Sequence, residues 1–303
     1  MKKEMETIIK ATGSAATIAA ASIILMLSTV SCNRNSFKTE ILSAEDSLAL
    51  SDFCTVPHAE DAGNADESGI SNGTNSTDSI AGGNDADEIK PELRIDINIE
   101  YAVGGASEEV VQSVNGIIAE MLFGEEELTD VPGSCEKYIE NLKKTYREDC
   151  TEVIEMSKEF GYSMIPATCS WAASVQGQFL KTYKGYIPYR SDTYNYTGGA
   201  HGSRTVLCRN FKFKNGEAAS EEDIFKENYE ETLTALLMDK AVEYVGEEYA
   251  EALWTEEIKP NGNFLLSEEG IVYIFNQYEI APYAAGVIEL TIPWDEVSDI
   301  LKF

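Results

Sequence analysis

The sequence predicts an α+β fold of mixed, mostly antiparallel sheets packed with helices in two sub-domains. Three observations carry that expectation. Residues 93–101 alternate apolar and polar with a period of two, whereas residues 107–160 carry apolar side chains every three or four positions. From residue 164 onward, short aromatic and β-branched stretches broken by glycine and proline take over. Helices and strands therefore come in separate runs and not in the regular alternation that builds a parallel sheet.

Order is expected to begin at "LRIDINIEY", where Ile95, Ile97, Ile99 and Tyr101 share one buried face. After Gly104-Gly105, Ser107 can cap a helix whose apolar residues fall at Val110, Val111, Val114, Ile117, Ile118, Met121 and Leu122. A second helix is expected from Ser134 to about Phe160, with Tyr138, Ile139, Leu142, Tyr146, Cys150 and Val153 on one face. The stretch from Met164 to Tyr194 reads as two or three short strands. "RTVLCRNFKF" is a further strand, closed by a turn at Asn215-Gly216. Ser220 to Asp223 is a capping box opening one helix that runs through Ile224, Tyr229, Leu233, Leu236, Leu237, Val242 and Val245. "NFLLSEEGIVYIF" reads as strand, turn and strand, "VIELTIP" as a last strand, and Trp294 to Leu301 as a short closing helix. No period of 20–50 residues recurs, so a repeat array is excluded.

The front of the chain gives an address. "MKKEMETIIK" supplies three lysines, and Ala15 to Val30 is almost wholly apolar but shorter than a membrane-spanning helix needs. The run ends "LSTVSC" and resembles a bacterial lipoprotein signal, with residues 1–31 removed and Cys32 acylated. The bilayer is then a partner through Cys32, and the body faces the periplasm or the cell surface. Residues 32–90 are read as a disordered acidic tether spanning about 40–45 Å, rich in Ser, Asn, Gly and Asp, with His58 a bystander in it. Sub-domains are placed at 91–195 and 196–303.

The net charge is −30, and losing three lysines and two glutamates with the leader takes it to −31. Such a polyanion is repelled by phosphate backbones, so nucleic acid is excluded as a partner. Steering of a basic partner is the sharper use of the charge.

Three stretches resemble one family: "YTGGAHG" (196–202), "SEEDIF" (220–225) and "FNQYEIAPYAAGVIELTIPWDEV" (275–297). They are similar to the extracytoplasmic domain shared by the lysozyme-sensing anti-sigma factor RsiV and the peptidoglycan deacetylase PdaC. The resemblance is specific over 196–301 and extends more weakly back to residue 92 as a PdaC-type domain. It implies recognition of a basic protein such as lysozyme, or of cell-wall peptidoglycan. Only a short N-terminal stretch precedes the apolar run, so control of a sigma factor is not expected. The clustered Asp and His ligands of a deacetylase centre are missing as well, so neither metal nor cofactor is expected.

Candidate contact residues are Tyr196, Gly198, Gly199 and His201 in the heptad, with Tyr278, Glu279 and Tyr283 in the later segment. The two segments are expected to meet in space. His201 is read as a residue that pins its loop. The competing reading makes it a general base oriented by Glu279 or Asp192, in an enzyme acting on peptidoglycan. A purely structural envelope protein is the third alternative. Beyond Cys32 and Cys54, Cys135, Cys150, Cys169 and Cys208 permit two disulfides in three pairings. Cys135 and Cys150 lie about 22 Å apart if one helix carries both, too far to bridge.

Overall fold

The period-two stretch becomes strand β3 (Glu92–Gly104), with Leu93, Ile95, Ile97, Ile99 and Tyr101 buried and Arg94, Asp96 and Asn98 facing solvent. In the computed structural model, which describes residues 22–26, 36–54, 91–124, 130–160 and 167–303, this strand lies within a six-stranded sheet. Strand order follows the chain: β1 (Ser22–Met26), β2 (Lys38–Ala49), β3, β4 (Trp171–Phe179), β5 (Tyr186–Tyr196) and β6 (Ser203–Lys212). β3 and β4 run parallel and the other four pairings are antiparallel. A parallel pair needs a long crossover. Here it is made by α1 (Glu108–Phe123) and α2 (Val131–Glu159), both of which pack against β3.

Local chemistry sets the helix starts. Val110 N donates to Ser107 Oγ at 3.4 Å, satisfying one of the free donors of the first turn of α1. For α2 the cap is Asp130, whose Oδ1 accepts from Gly133 N at 2.7 Å. Pro132 sits in the first turn, where its missing N–H breaks no helical bond. The helix therefore starts three residues before Ser134. Val114, Ile118 and Leu122 of α1 and Ile139, Tyr146, Cys150 and Ile154 of α2 close the first core over the sheet.

The second sheet is antiparallel, β7 (Phe264–Leu266), β8 (Gly270–Phe275) and β9 (Ile288–Pro293), as the sequence predicts. Helix α4 (Glu230–Val245) covers it with Leu233, Leu237 and Ala241. The fold is thus α+β, with two layered cores and a small cluster of Val206, Cys208, Leu265 and Ile274 between them.

Four expectations are corrected. First, residues 38–49, inside the stretch read as a tether, form a strand of the sheet: β2 pairs with β3 along its whole length, from Lys38 opposite Gly104 to Ala49 opposite Glu92. Phe37, Leu42, Ala44, Leu48 and Leu50 are buried in the first core, and Cys54 packs against it. Residues 55–90 therefore join the ends of two paired strands, and only residues 33–37 separate Cys32 from β2. Second, the helix expected from Ser220 breaks. After one turn, α3 (Glu221–Ile224), Phe225 is extended and bridges to Leu301, and Asn228 takes a φ of 64° before α4 starts. Third, Trp294 to Ile300 forms successive turns, with bonds such as Ile300 N to Val297 O at 3.0 Å, and no closing helix. Fourth, the division at 196 falls where β5 leads into β6 within one sheet, so the first sheet continues to Lys212.

β1 lies inside the stretch read as leader, and a chain cleaved before Cys32 would begin its sheet at β2. Cys32, His58 and the rest of 55–90 fall outside the described residues.

The capping box predicted at Ser220 is present, with Ser220 N donating to Asp223 Oδ2 at 3.0 Å. Burial pulls the Asp223 carboxyl upward, but its bond to Lys212 and the Ser220 N–H outweigh this and hold it below the usual aspartate range. A lowered carboxyl stabilises the fold above its unfolded pKa, and that stability disappears as pH falls through the native value. Asp223→Asn is expected to lower Tm at pH 7, with the gap to the parent closing as pH drops below about 4. Thermal melts across pH 2–7 check this.

Candidate functional site

β6 borders the second body, and its free edge is met by side chains instead of another strand. Arg204 N donates to Gln277 Oε1 at 2.9 Å, Val206 N to Asn276 Oδ1 at 2.7 Å and Cys208 N to Asn263 Oδ1 at 2.8 Å. Asn210 answers from β6, donating to Phe264 O and accepting from Leu266 N at 2.8 and 2.9 Å. A ladder of amides thus replaces backbone pairing at alternate residues. It fixes residues 276 and 277 beside the start of β6, where the heptad ends.

The heptad and the later segment meet there. Tyr283 Oη donates to Gly202 O at 2.8 Å, and its ring stacks on His201 with centroids 3.8 Å apart. Tyr196 Oη donates to Gly199 O at 3.0 Å, closing the bend on itself. Gly198 has a φ of 80°, and a Cβ there would lie 2.2 Å from Thr168 Cα. A Cβ on Gly202 would sit 2.4 Å from the Tyr194 hydroxyl. Gly198 is therefore required by close packing against backbone, whereas at Gly202 the exposed Tyr194 ring would have to give, and Gly199 is exposed and open.

Neither proposed partner carboxylate binds His201. Glu279 accepts from Asn276 N and from Asn261 Nδ2, each at 2.7 Å, and so closes its own turn. Asp192 is gripped by both Arg204 nitrogens, and this bond holds the guanidinium above its ordinary pKa. His201 is exposed, with the Tyr283 ring as its neighbour.

What the site presents is a row of rings. From His201 and Tyr283 it continues to Tyr278 at 5.6 Å and then to Trp254 at 6.0 Å. Trp254 and Tyr278 are 55% and 54% exposed. Tyr278 has a φ of 66°, a left-handed backbone that costs a bulky residue about 1 kcal/mol or more. The strained residue is also one whose ring is exposed.

Trp254 was not singled out from sequence. Its backbone N–H donates to Ile280 O at 2.9 Å, which sets it beside the row. Beyond it, residues 257–262 wall a cleft of about 640 Å³ lined by Glu221, Glu222, Glu230, Glu231 and Glu257 with Lys259. Burial, then the charges of Glu222 and Glu221, push the Tyr229 hydroxyl in this cleft up to about 12.

Residues 222–295 match the family described as protein of unknown function DUF3298. No curated protein matches the chain. A solved DUF3298-family protein from Bacteroides fragilis is similar over 90% of this chain and 96% of its own, with TM-score 0.69 and 23% identity. One from Pseudomonas aeruginosa covers 89% of this chain and 97% of its own, with TM-score 0.55 and 14% identity. The chain therefore has the fold of these DUF3298 proteins through most of its length, and the sequence match to the family itself falls on the second body and its acidic cleft.

Proposed function

We propose that the chain is a non-catalytic recognition module of the bacterial envelope, anchored through acylated Cys32 and binding a basic protein of the lysozyme type. The observation that carries the reading is the strained, exposed Tyr278 in a row of neighbouring rings. Backbone strain retained to expose an aromatic ring has no use in the core and is the mark of a contact surface. Guanidinium groups stack on such rings and pair with carboxylates, and the acidic cleft supplies the second half of that chemistry. A net charge of −30 would speed the encounter. Kinship to the RsiV and PdaC extracytoplasmic domain is proposed on the same grounds. With five residues between Cys32 and β2, the body would stand within about 20 Å of its anchor.

A second reading has its own support. Ring faces in a row can also stack on the apolar faces of sugars, so peptidoglycan is the alternative ligand.

Titrating lysozyme into the soluble chain from residue 33 separates these. Affinity that falls with salt supports the protein partner. Tyr278→Gly is expected to weaken binding at least tenfold while raising stability by up to about 1 kcal/mol, because glycine takes the left-handed backbone freely. Unchanged affinity in both Tyr278→Gly and His201→Ala, with the fold intact, removes the site. Salt-insensitive retention on peptidoglycan favours the glycan. Release of acetate or sugar fragments, abolished by His201→Ala, would make the protein an enzyme.

A further inference from the structure

We propose that Cys150 and Cys169 form a disulfide in the exported protein, tying α2 to the start of β4. Tyr146 and Cys150 stand one turn apart on the same face of α2, and both are buried. Tyr146 Oη donates to the carbonyl of Cys169 at 2.8 Å, which sets Cys169 against that face of the helix. Cys150 and Cys169 are free thiols in this structure, and each is near enough to perturb the ionisation of the other. Cys54 packs against the same core, whereas the other two cysteines are placed differently. Cys135 lies 15 residues earlier on the same unbroken helix, about 22 Å away, and Cys208 lies in the small cluster between the sheets.

The pair is chemically asymmetric. Donation from Cys150 and then from Thr168 holds the Cys169 thiol low despite its burial, while Cys150 is pushed up by that bond and by burial. That asymmetry belongs to the closed core; in the open chain either thiol can attack first as its thiolate. When Cys169 leads, it displaces one sulfur of an external disulfide, the oxidant, as a thiolate and forms a mixed disulfide. Cys150 then loses its proton and attacks the Cys169 sulfur, releasing the second thiol. Two protein thiols become one disulfide, and the oxidant's disulfide becomes two thiols. With both side chains almost fully buried, exchange takes place before the core closes, and the finished bond is shielded from reductants. The supply of oxidant rests on the export reading, since such bonds persist in oxidising compartments.

The test is peptide mapping of the full chain recovered from the cell envelope after acid quenching and alkylation. A 150–169 linkage with Cys135 and Cys208 alkylated is expected. Its removal in the Cys150→Ala/Cys169→Ala double variant should lower Tm by about 10 °C, given a closed loop of about 20 residues. Refolding the purified chain in a glutathione redox buffer isolates the pairing from the compartment. A 150–169 bond formed there but missing from cells supports the pair and counts against export. Alkylation of both thiols after refolding, or linkage of either one to Cys54, overturns the proposal.

Discussion

A chain starting at residue 91 is expected not to fold, although its sequence looks like the complete globular part. The cut removes β2, and with it Phe37, Leu42, Leu48 and Leu50 from the first core. At roughly 1.5–3 kcal/mol for each buried side chain, these four contribute about 6–12 kcal/mol. A domain's whole stability is about 5–15 kcal/mol, so the loss is on the scale of the total. The cut also strips Asp46 from Lys143 of α2, in an ion pair whose carboxylate is only 5% exposed. Finally it leaves β3 as a bare edge rich in isoleucine, the kind of edge that pairs with other chains. Urea unfolding and size-exclusion chromatography of the chains from 33 and from 91 compare the two directly. Replacing 55–90 by a short turn should be tolerated, because Ala49 and Glu92 are already opposite one another. A soluble 91–303 chain with cooperative unfolding near the parent's Tm would show that β2 is an accessory.

Why β2 escaped sequence reading is physical. Its inward positions are Leu42, Ala44, Asp46 and Leu48, so the period of two is interrupted by a methyl group and then by a charge. Asp46 can face inward only because Lys143 meets it there, 97 residues away. No local pattern contains that partner. β3 was legible because isoleucines hold one face without help from elsewhere, and α1 because Ser107 announces it. The break after α3 was missed for a similar reason as β2. Glu221 to Val245 has continuous helical periodicity, and the chain leaves it at Phe225 to bridge Leu301.

The site divides in the same way. The meeting of the heptad with the later segment was expected from the sequence, and both segments do come together, His201 against Tyr283. The pairing of His201 with Glu279 or Asp192 was an inference from residue type alone, and local bonds took both carboxylates elsewhere. Trp254, by contrast, carries no signal in "EALWTEE", where it reads as one more apolar residue among acids. Asn276 and Gln277 sit between strand and tyrosine and look like turn residues. Their actual task is to satisfy the backbone of β6, about 70 residues earlier.

That task gives the second large expected effect. Asn263→Leu should destabilise the protein by about 3–4 kcal/mol, far beyond what an exposed asparagine would show. The Asn263 amide accepts from Cys208 N and donates to Val206 O and Ile274 O, at 2.8, 2.9 and 3.1 Å. Val206 O keeps Asn276 and Ile274 O keeps Asn261 when the amide is removed. Cys208 N keeps nothing, and it is buried in the joint between the sheets. The orphaned donor then accounts for most of the loss. Asn263→Asp separates shape from hydrogen bonding. It preserves size and the acceptor for Cys208 N but turns the donor end, facing two carbonyls, into an oxygen. The introduced carboxyl is favoured in its neutral form, so its native pKa lies above its unfolded one. The penalty relative to the parent should be least below about pH 4 and should grow as pH rises through the native pKa. Urea midpoints at pH 4 and pH 7 read this directly. Because the same amide ladder holds Asn276 and Gln277, loosening it should also move Tyr283 away from His201 and weaken binding of the proposed partner. If Asn263→Leu leaves stability within about 0.5 kcal/mol of the parent, the amide ladder does not join the two sheets.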